Sequence, residues 1–162
     1  MKALRLNSNH SFAFSFANGK KIDHMKPVSN AFKNVNWHDL KGKTITNKNV
    51  ILTRYGDVHG FDNSPVFTCE TLFLDSCDKN FIAYWLNKGT FPNVKTVYLD
   101  SHPCDHYCLP KDIDKIYLHS AWRRYKERWW SNRDNIELID DEAYKTQLSS
   151  YAEDSEEMFI KE

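Results

Sequence analysis

Thr96-Val97-Tyr98-Leu99-Asp100-Ser101 places Val97 and Leu99 on one face and Tyr98 on the other, the alternation of a β-strand, and ends in a polar turn. The same spacing of two side chains one residue apart recurs as Ile51/Thr53, Leu72/Leu74, Ile116/Leu118 and Ile136/Leu138. The five starts are about 20–25 residues apart, inside the ~20–29 residues of one strand-plus-helix repeat unit. Three of the strands share a tail: Leu74-Asp75-Ser76, Leu99-Asp100-Ser101 and Leu118-His119-Ser120.

Between these strands the apolar period lengthens to that of a helix. Over 78–88, Phe81/Trp85 and Ile82/Leu86 are four residues apart, and Gly89 and Pro92 supply a stop. Over 121–130, Trp122, Tyr125 and Trp129 fall on one stripe. Strand, helix, strand in this order predicts parallel strands joined by crossovers, because a two-residue hairpin cannot make that connection. The segment from Ser101 to Ile116 is rich in Pro, Asp and Cys and is expected to be a loop or single turn. The spacing of Tyr144, Leu148 and Tyr151 predicts a last helix over about 142–151 that closes the end of the stack, followed by a frayed acidic tail. Residues 1–48 do not fit the pattern. Phe12, Phe14 and Phe16 alternate, Asn18-Gly19 reads as a hairpin turn, and the region is expected to be a β-hairpin cap. The organisation expected is thus a cap over 1–48, a strand/helix region over 49–141 and a C-terminal helix and tail over 142–162, forming one compact domain. The fold class is α/β, a short parallel-strand stack.

Length and charge fit that architecture. A chain of 162 residues is sized for one domain. Its 22 basic and 22 acidic side chains argue against a general polyanion binder, so any nucleic-acid role must rest on a local patch. No apolar run approaches the ~18 residues that span a bilayer, and Asn7, Ser8, Asn9 and His10 interrupt any signal-like start. The protein is therefore expected inside the cell, with Cys69, Cys77, Cys104 and Cys108 as free thiols or metal ligands.

Phe91-Pro92-Asn93-Val94-Lys95-Thr96-Val97-Tyr98-Leu99-Asp100-Ser101 resembles the rising segment of a leucine-rich repeat, and the likeness extends over about 49–140. The Asn- and Lys-rich, aromatic-heavy style of the chain is similar to repeat proteins encoded by large DNA viruses of amoebae. The chain departs from the repeat family where a ladder Asn or Cys should follow the strand, since Ser76, Ser101 and Ser120 stand there. A small layered α/β sheet with the same strand order therefore stays open beside a leucine-rich-repeat-like horseshoe. The resemblance implies binding of a protein partner across the strand face without catalysis, in host cytoplasm or virion for a viral protein.

Four constellations are candidates for chemistry. Strands in register would bring Phe73, Tyr98, Tyr117 and Glu137 into one outward row, a recognition surface unless another element covers it. Arg54, Asp75, Asp100 and His119 would form a second row. It reads as strand-end capping, or as the acid/base or cation site of a metal-dependent hydrolase. Cys77 and His102 follow Asp-Ser in adjacent units, and with Cys104 and Cys108 they offer zinc four N/S ligands, against the plainer reading of a polar loop with buried thiols. Finally, Trp122-Arg123-Arg124-Tyr125-Lys126-Glu127-Arg128-Trp129-Trp130 joins cations to aromatics. Arg123, Arg124 and a surface-exposed Trp130 suit a protein partner, with nucleic acid bound by 121–133 as the alternative.

Overall fold

The computed structural model describes residues 1–8, 33–56, 63–103 and 109–161. Ten strands lie within them: β1 (Lys2–Asn7), β2 (Lys33–Asn34), β3 (Thr44–Ile45), β4 (Asn49–Thr53), β5 (Val66–Phe67), β6 (Thr71–Asp75), β7 (Thr96–Asp100), β8 (Lys115–His119), β9 (Ile136–Ile139) and β10 (Asp154–Ser155). Three helices join them: α1 (Lys79–Asn87), α2 (Arg123–Trp129) and α3 (Asp141–Ala152). The main sheet runs β10-β1-β4-β6-β7-β8-β9, with β2 beside β1, and every pair in it is parallel. A separate pair, β3 and β5, is also parallel.

The expected strand register is present in four of the five strands. Phe73 pairs with Tyr98, Tyr98 with Tyr117, and Tyr117 with Glu137. On the opposite face Leu74, Leu99, Leu118 and Leu138 are in line. The first strand is offset by one residue from the expected alignment. Val50 pairs with Leu72 and Leu52 with Leu74, so Ile51 rather than the expected Leu52 stands beside Phe73, and Thr53 rather than Arg54 stands beside Asp75. A one-residue shift sends every side chain to the other face. Asn49-Val50-Ile51-Leu52-Thr53 carries three apolar residues in succession, so alternation alone cannot choose between the two registers.

The connections are not copies of one another. β4 reaches β6 through β5, β6 reaches β7 through α1, and β8 reaches β9 through a 3-10 turn (Ser120–Trp122) and α2. The structure is a mixed α/β arrangement around a mostly parallel sheet, covered on both faces; a leucine-rich-repeat stack is not what it shows. The expected N-terminal hairpin lies outside the described residues. Lys2–Asn7, within the expected cap, joins the main sheet beside β4.

One face of the sheet carries the larger core. Leu4, Leu6, Val50, Leu52, Leu72, Leu74, Val97 and Leu99 point into it and meet α1 through Phe81, Ile82, Trp85 and Leu86. Trp37 sits at its centre, 4.8 Å from Phe81, 5.1 Å from Trp85 and 5.3 Å from Tyr55, ring centre to ring centre. Burying each such side chain contributes roughly 1.5–3 kcal/mol, which makes this cluster the main source of cohesion. α1 begins where Asp78 accepts a hydrogen bond from the Asn80 amide at 2.8 Å, and it stops before Gly89, whose φ of 82° only glycine adopts freely.

The second core lies on the other face, beneath α3. Asp140 accepts from the Ala143 amide at 2.7 Å and starts the helix, which lays Tyr144, Leu148 and Tyr151 over Ile51, Phe73 and Tyr98. The helix expected to close the end of the stack thus covers a face of the sheet instead. The acidic tail, expected to fray, is docked: β10 pairs with β1, and the Glu156 amide donates to the Ala3 carbonyl at 2.9 Å.

Candidate functional site

The outward row becomes a stacked ladder. Phe73 and Tyr98 are 4.4 Å apart at 6° between planes, and Tyr98 and Tyr117 are 4.9 Å apart at 20°. Phe73 is fully buried, Tyr98 nearly so and Tyr117 half-buried. A recognition surface was expected here; α3 covers it, because a parallel sheet with two apolar faces must hide both. Trp130, expected at the surface, is 1% exposed. It follows the last turn of α2, its amide donates to the Lys126 carbonyl at 2.9 Å, and its indole enters the larger core.

At the carboxyl ends of the strands, Asp75, Asp100 and His119 gather under the start of α3. The Tyr144 hydroxyl donates to Asp75 Oδ1 at 3.1 Å, and Trp122 Nε1 donates to Asp100 Oδ1 at 3.3 Å. His119 Nδ1 accepts from the Ala121 amide at 3.0 Å, which leaves Nε2 to donate to Asp141 Oδ1 at 2.9 Å. Burial raises the Asp75 pKa; the Tyr144 hydrogen bond works against this, and the nearby Asp100 charge adds to it. Asp141, exposed, is held below the usual carboxylate range by Lys145 at 2.8 Å and by His119. Arg54 (φ 61°) and Ser76 (φ 56°) turn the chain out of β4 and β6 in left-handed conformation, while their amides extend the ladder to the Asp75 and Asp100 carbonyls. Each such residue costs ~1–3 kcal/mol, supplied by the surrounding packing. Among the described residues no three His, Cys, Asp or Glu side chains are placed to hold a metal ion. Asp75, Asp100 and His119 act as the polar seam between sheet and helix. Asp75 and Asp100 cap no helix, and only His119 accepts from a following amide as the capping reading required.

Of the residues proposed for zinc, Cys104 and Cys108 lie outside the described residues. Cys77 is buried; its thiol donates to the Leu52 carbonyl at 3.4 Å, and burial pushes its pKa up to about 12. His102 Nδ1 donates to the Pro103 carbonyl at 2.8 Å, and Nε2 accepts from the Tyr125 hydroxyl at 2.6 Å. Both ring nitrogens of His102 are thus engaged within the chain.

α2 and the turn before it present the most open group of chemically distinctive side chains. Arg123, Arg124 and Arg128 are exposed, with Arg128 lying 5.2 Å from the centre of the Trp129 ring. Trp122, Tyr125 and Trp129 are half-buried; one side packs on the larger core and the rest stays accessible. Tyr125 stands 5.0 Å from the His102 ring and 5.4 Å from Trp129. Arg133 is committed inward, donating to the Leu109 carbonyl at 3.0 Å and the Pro110 carbonyl at 2.8 Å. The sequence pattern located this stripe but could not foresee Tyr144, Trp122 and Asp141 as the partners of Asp75, Asp100 and His119, because those contacts span 69, 22 and 22 residues.

A family of unknown function, DUF5845, matches residues 50–130, from β4 through α2. Two proteins of Acanthamoeba polyphaga mimivirus, both described as uncharacterized, are each 40% identical to this chain over 116 residues. The matches cover 72% and 71% of this chain and 82% and 84% of theirs. The likeness to proteins of amoebal viruses is met at that level, and neither relative brings a leucine-rich repeat with it. No solved structure matches.

Proposed function

Because the chain belongs to the DUF5845 family of unknown function, we propose a role from its surface: a non-enzymatic recognition protein that engages a protein partner through the α2 face. One observation carries the reading. Three exposed arginines flank an aromatic stripe that is anchored in the core yet half accessible. Arg and Trp are the side chains enriched where binding energy concentrates, and rings already fixed by packing lose little freedom when a partner covers them. Arg123 and Arg124 supply charge for an acidic partner. The aromatic row under α3 and the buried Trp130 take no part.

Full-length protein used as bait in extract of infected amoebae, with and without nuclease, tests this. The expected result is a stoichiometric protein, retained after nuclease, that R123A/R124A fails to hold and that binds the purified chain directly. Retention of nucleic acid alone would favour the alternative use of 121–133. A complex resting on four phosphate contacts would then lose roughly 100-fold in affinity between about 50 and 200 mM salt.

A further inference from the structure

The formal net charge of zero hides a polarised arrangement. β9 and β10 are the two ends of the main sheet, and α2 packs beside β9. At the β9 end, Arg123, Arg124 and Arg128 are exposed on α2 beside one acid of that helix, Glu127, and Arg123 and Arg124 make no ion pair among the described residues. Glu137 holds Lys115 at 3.3 Å, and Asp141 holds Lys145 and His119. At the β10 end, Glu153, Asp154, Glu156 and Glu157 lie within five residues. Glu156 accepts from Asn47 Nδ2 at 3.0 Å, and the other three carboxylates are exposed with no ion pair among the described residues. Cations also stand at this corner: Met1, whose ammonium donates to the Ser150 carbonyl, Lys2 beside Asp154, Lys161, and Lys48, which Glu70 holds at 3.5 Å. The basic helix and the acidic tail therefore cannot meet within one molecule, because the whole width of the sheet separates them.

We propose that copies of this chain associate head to tail, the Arg123/Arg124 face at the β9 end of one molecule docking on the Glu153–Glu157 corner at the β10 end of the next. This rests on the reading of α2 as a binding face and names its partner as a second copy. The two patches are complementary and different, so the contact is heterologous: it cannot close as a two-fold dimer, and it repeats into rows or rings. A chain with 22 positive and 22 negative side chains carries no net repulsion to oppose this.

Sedimentation of the full chain from about 10 to 300 μM at about 50 mM salt tests the proposal. The weight-average mass should climb past two chains with concentration and return to 19.1 kDa at about 0.5 M salt, where the Debye length is only a few ångström. R123E/R124E and E153K/D154K should each stay monomeric alone. Mixed in equal amounts they should regain association past two chains, since the intact ends dock as in the wild type and the two reversed ends are complementary to each other. Circular dichroism checks that both variants fold, and the milder R123Q/R124Q and E153Q/D154Q replace any that does not. A wild-type chain monomeric throughout, an oligomer that either reversal leaves intact, or a mixture that stays monomeric overturns the proposal. A monomeric wild type that still captures a protein in an Arg123/Arg124-dependent way removes self-association alone and leaves the recognition reading standing.

Discussion

The Tyr144 hydroxyl donates to Asp75 Oδ1 at 3.1 Å and so ties α3 to the end of β6 across 69 residues of chain. Without α3 the row of Phe73 and Tyr98 would face water, so this bond sits where the smaller core is held shut. Tyr144→Phe keeps the ring on Phe73 and removes only the donor. Leaving a half-buried carboxyl short of a partner costs about 1–3 kcal/mol. At ~2–4 °C per kcal/mol for a chain of this size, the melting temperature should fall by roughly 2–12 °C.

The same carboxyl has a defined pH signature. Its folded pKa is raised, chiefly by burial, so the folded state holds the proton more tightly than the unfolded chain. Stability from this group is therefore complete below the unfolded value of about 3.9 and is lost as pH climbs through the raised folded value. Asp75→Asn keeps an acceptor for Tyr144 and cannot ionise. Urea unfolding should show the variant gaining on the wild type between pH 4 and pH 7; a difference that shrinks over that interval would contradict the assignment.

Truncating the aromatic row should give graded losses. Phe73→Ala opens a cavity between sheet and α3 and should cost about 3–5 kcal/mol, whereas the half-buried Tyr117→Ala should cost clearly less. Denaturant titration separates the two. This row also marks how far the sequence could be read. The alignment of Phe73, Tyr98, Tyr117 and Glu137 follows from local alternation and is correct, because register is a property of neighbouring strands. Whether the row is surface or core depends on where α3 packs. Tyr144, Leu148 and Tyr151 identify a helix with one apolar face and say nothing of which face of the sheet receives it. Trp130 fails for a related reason: it lies one residue past α2, and the turn that swings its indole inward has no periodic signal. The cluster around Asp75 was half legible, its carboxylates and His119 appearing as a row while the donors that satisfy them arrive from α3 and the turn at Trp122.

Cys69 and Cys77 are both buried, with thiol pKa values pushed up to about 12 by burial. Neither presents a thiolate near neutrality, so alkylation at pH 8 followed by mass spectrometry should label both only after unfolding. If protein purified without added metal carries one zinc per chain and loses it on Cys77→Ser, the thiol is a ligand after all; the bond to the Leu52 carbonyl predicts that Cys77→Ser changes no metal content.

Asn47 is fully buried and acts as the clasp of the C-terminal segment. Its Nδ2 donates to Glu156 Oε2 at 3.0 Å and to the Glu157 carbonyl at 2.8 Å, and its Oδ1 accepts from the Phe159 amide at 2.9 Å. Three hydrogen bonds converge on one side chain, at ~1 kcal/mol each in net terms. Asn47→Ala removes all three and leaves the Phe159 amide without its acceptor, while the backbone contacts to Ala3 and Thr46 remain. The segment should open locally before the sheet unfolds. Hydrogen exchange at the Phe159 amide should therefore accelerate by roughly 100-fold, with little change in β6 and β7, if the clasp supplies about 3 kcal/mol of local stability. Equal acceleration in β6 and β7 would mean that the tail is part of the global folding unit rather than a strap on its edge.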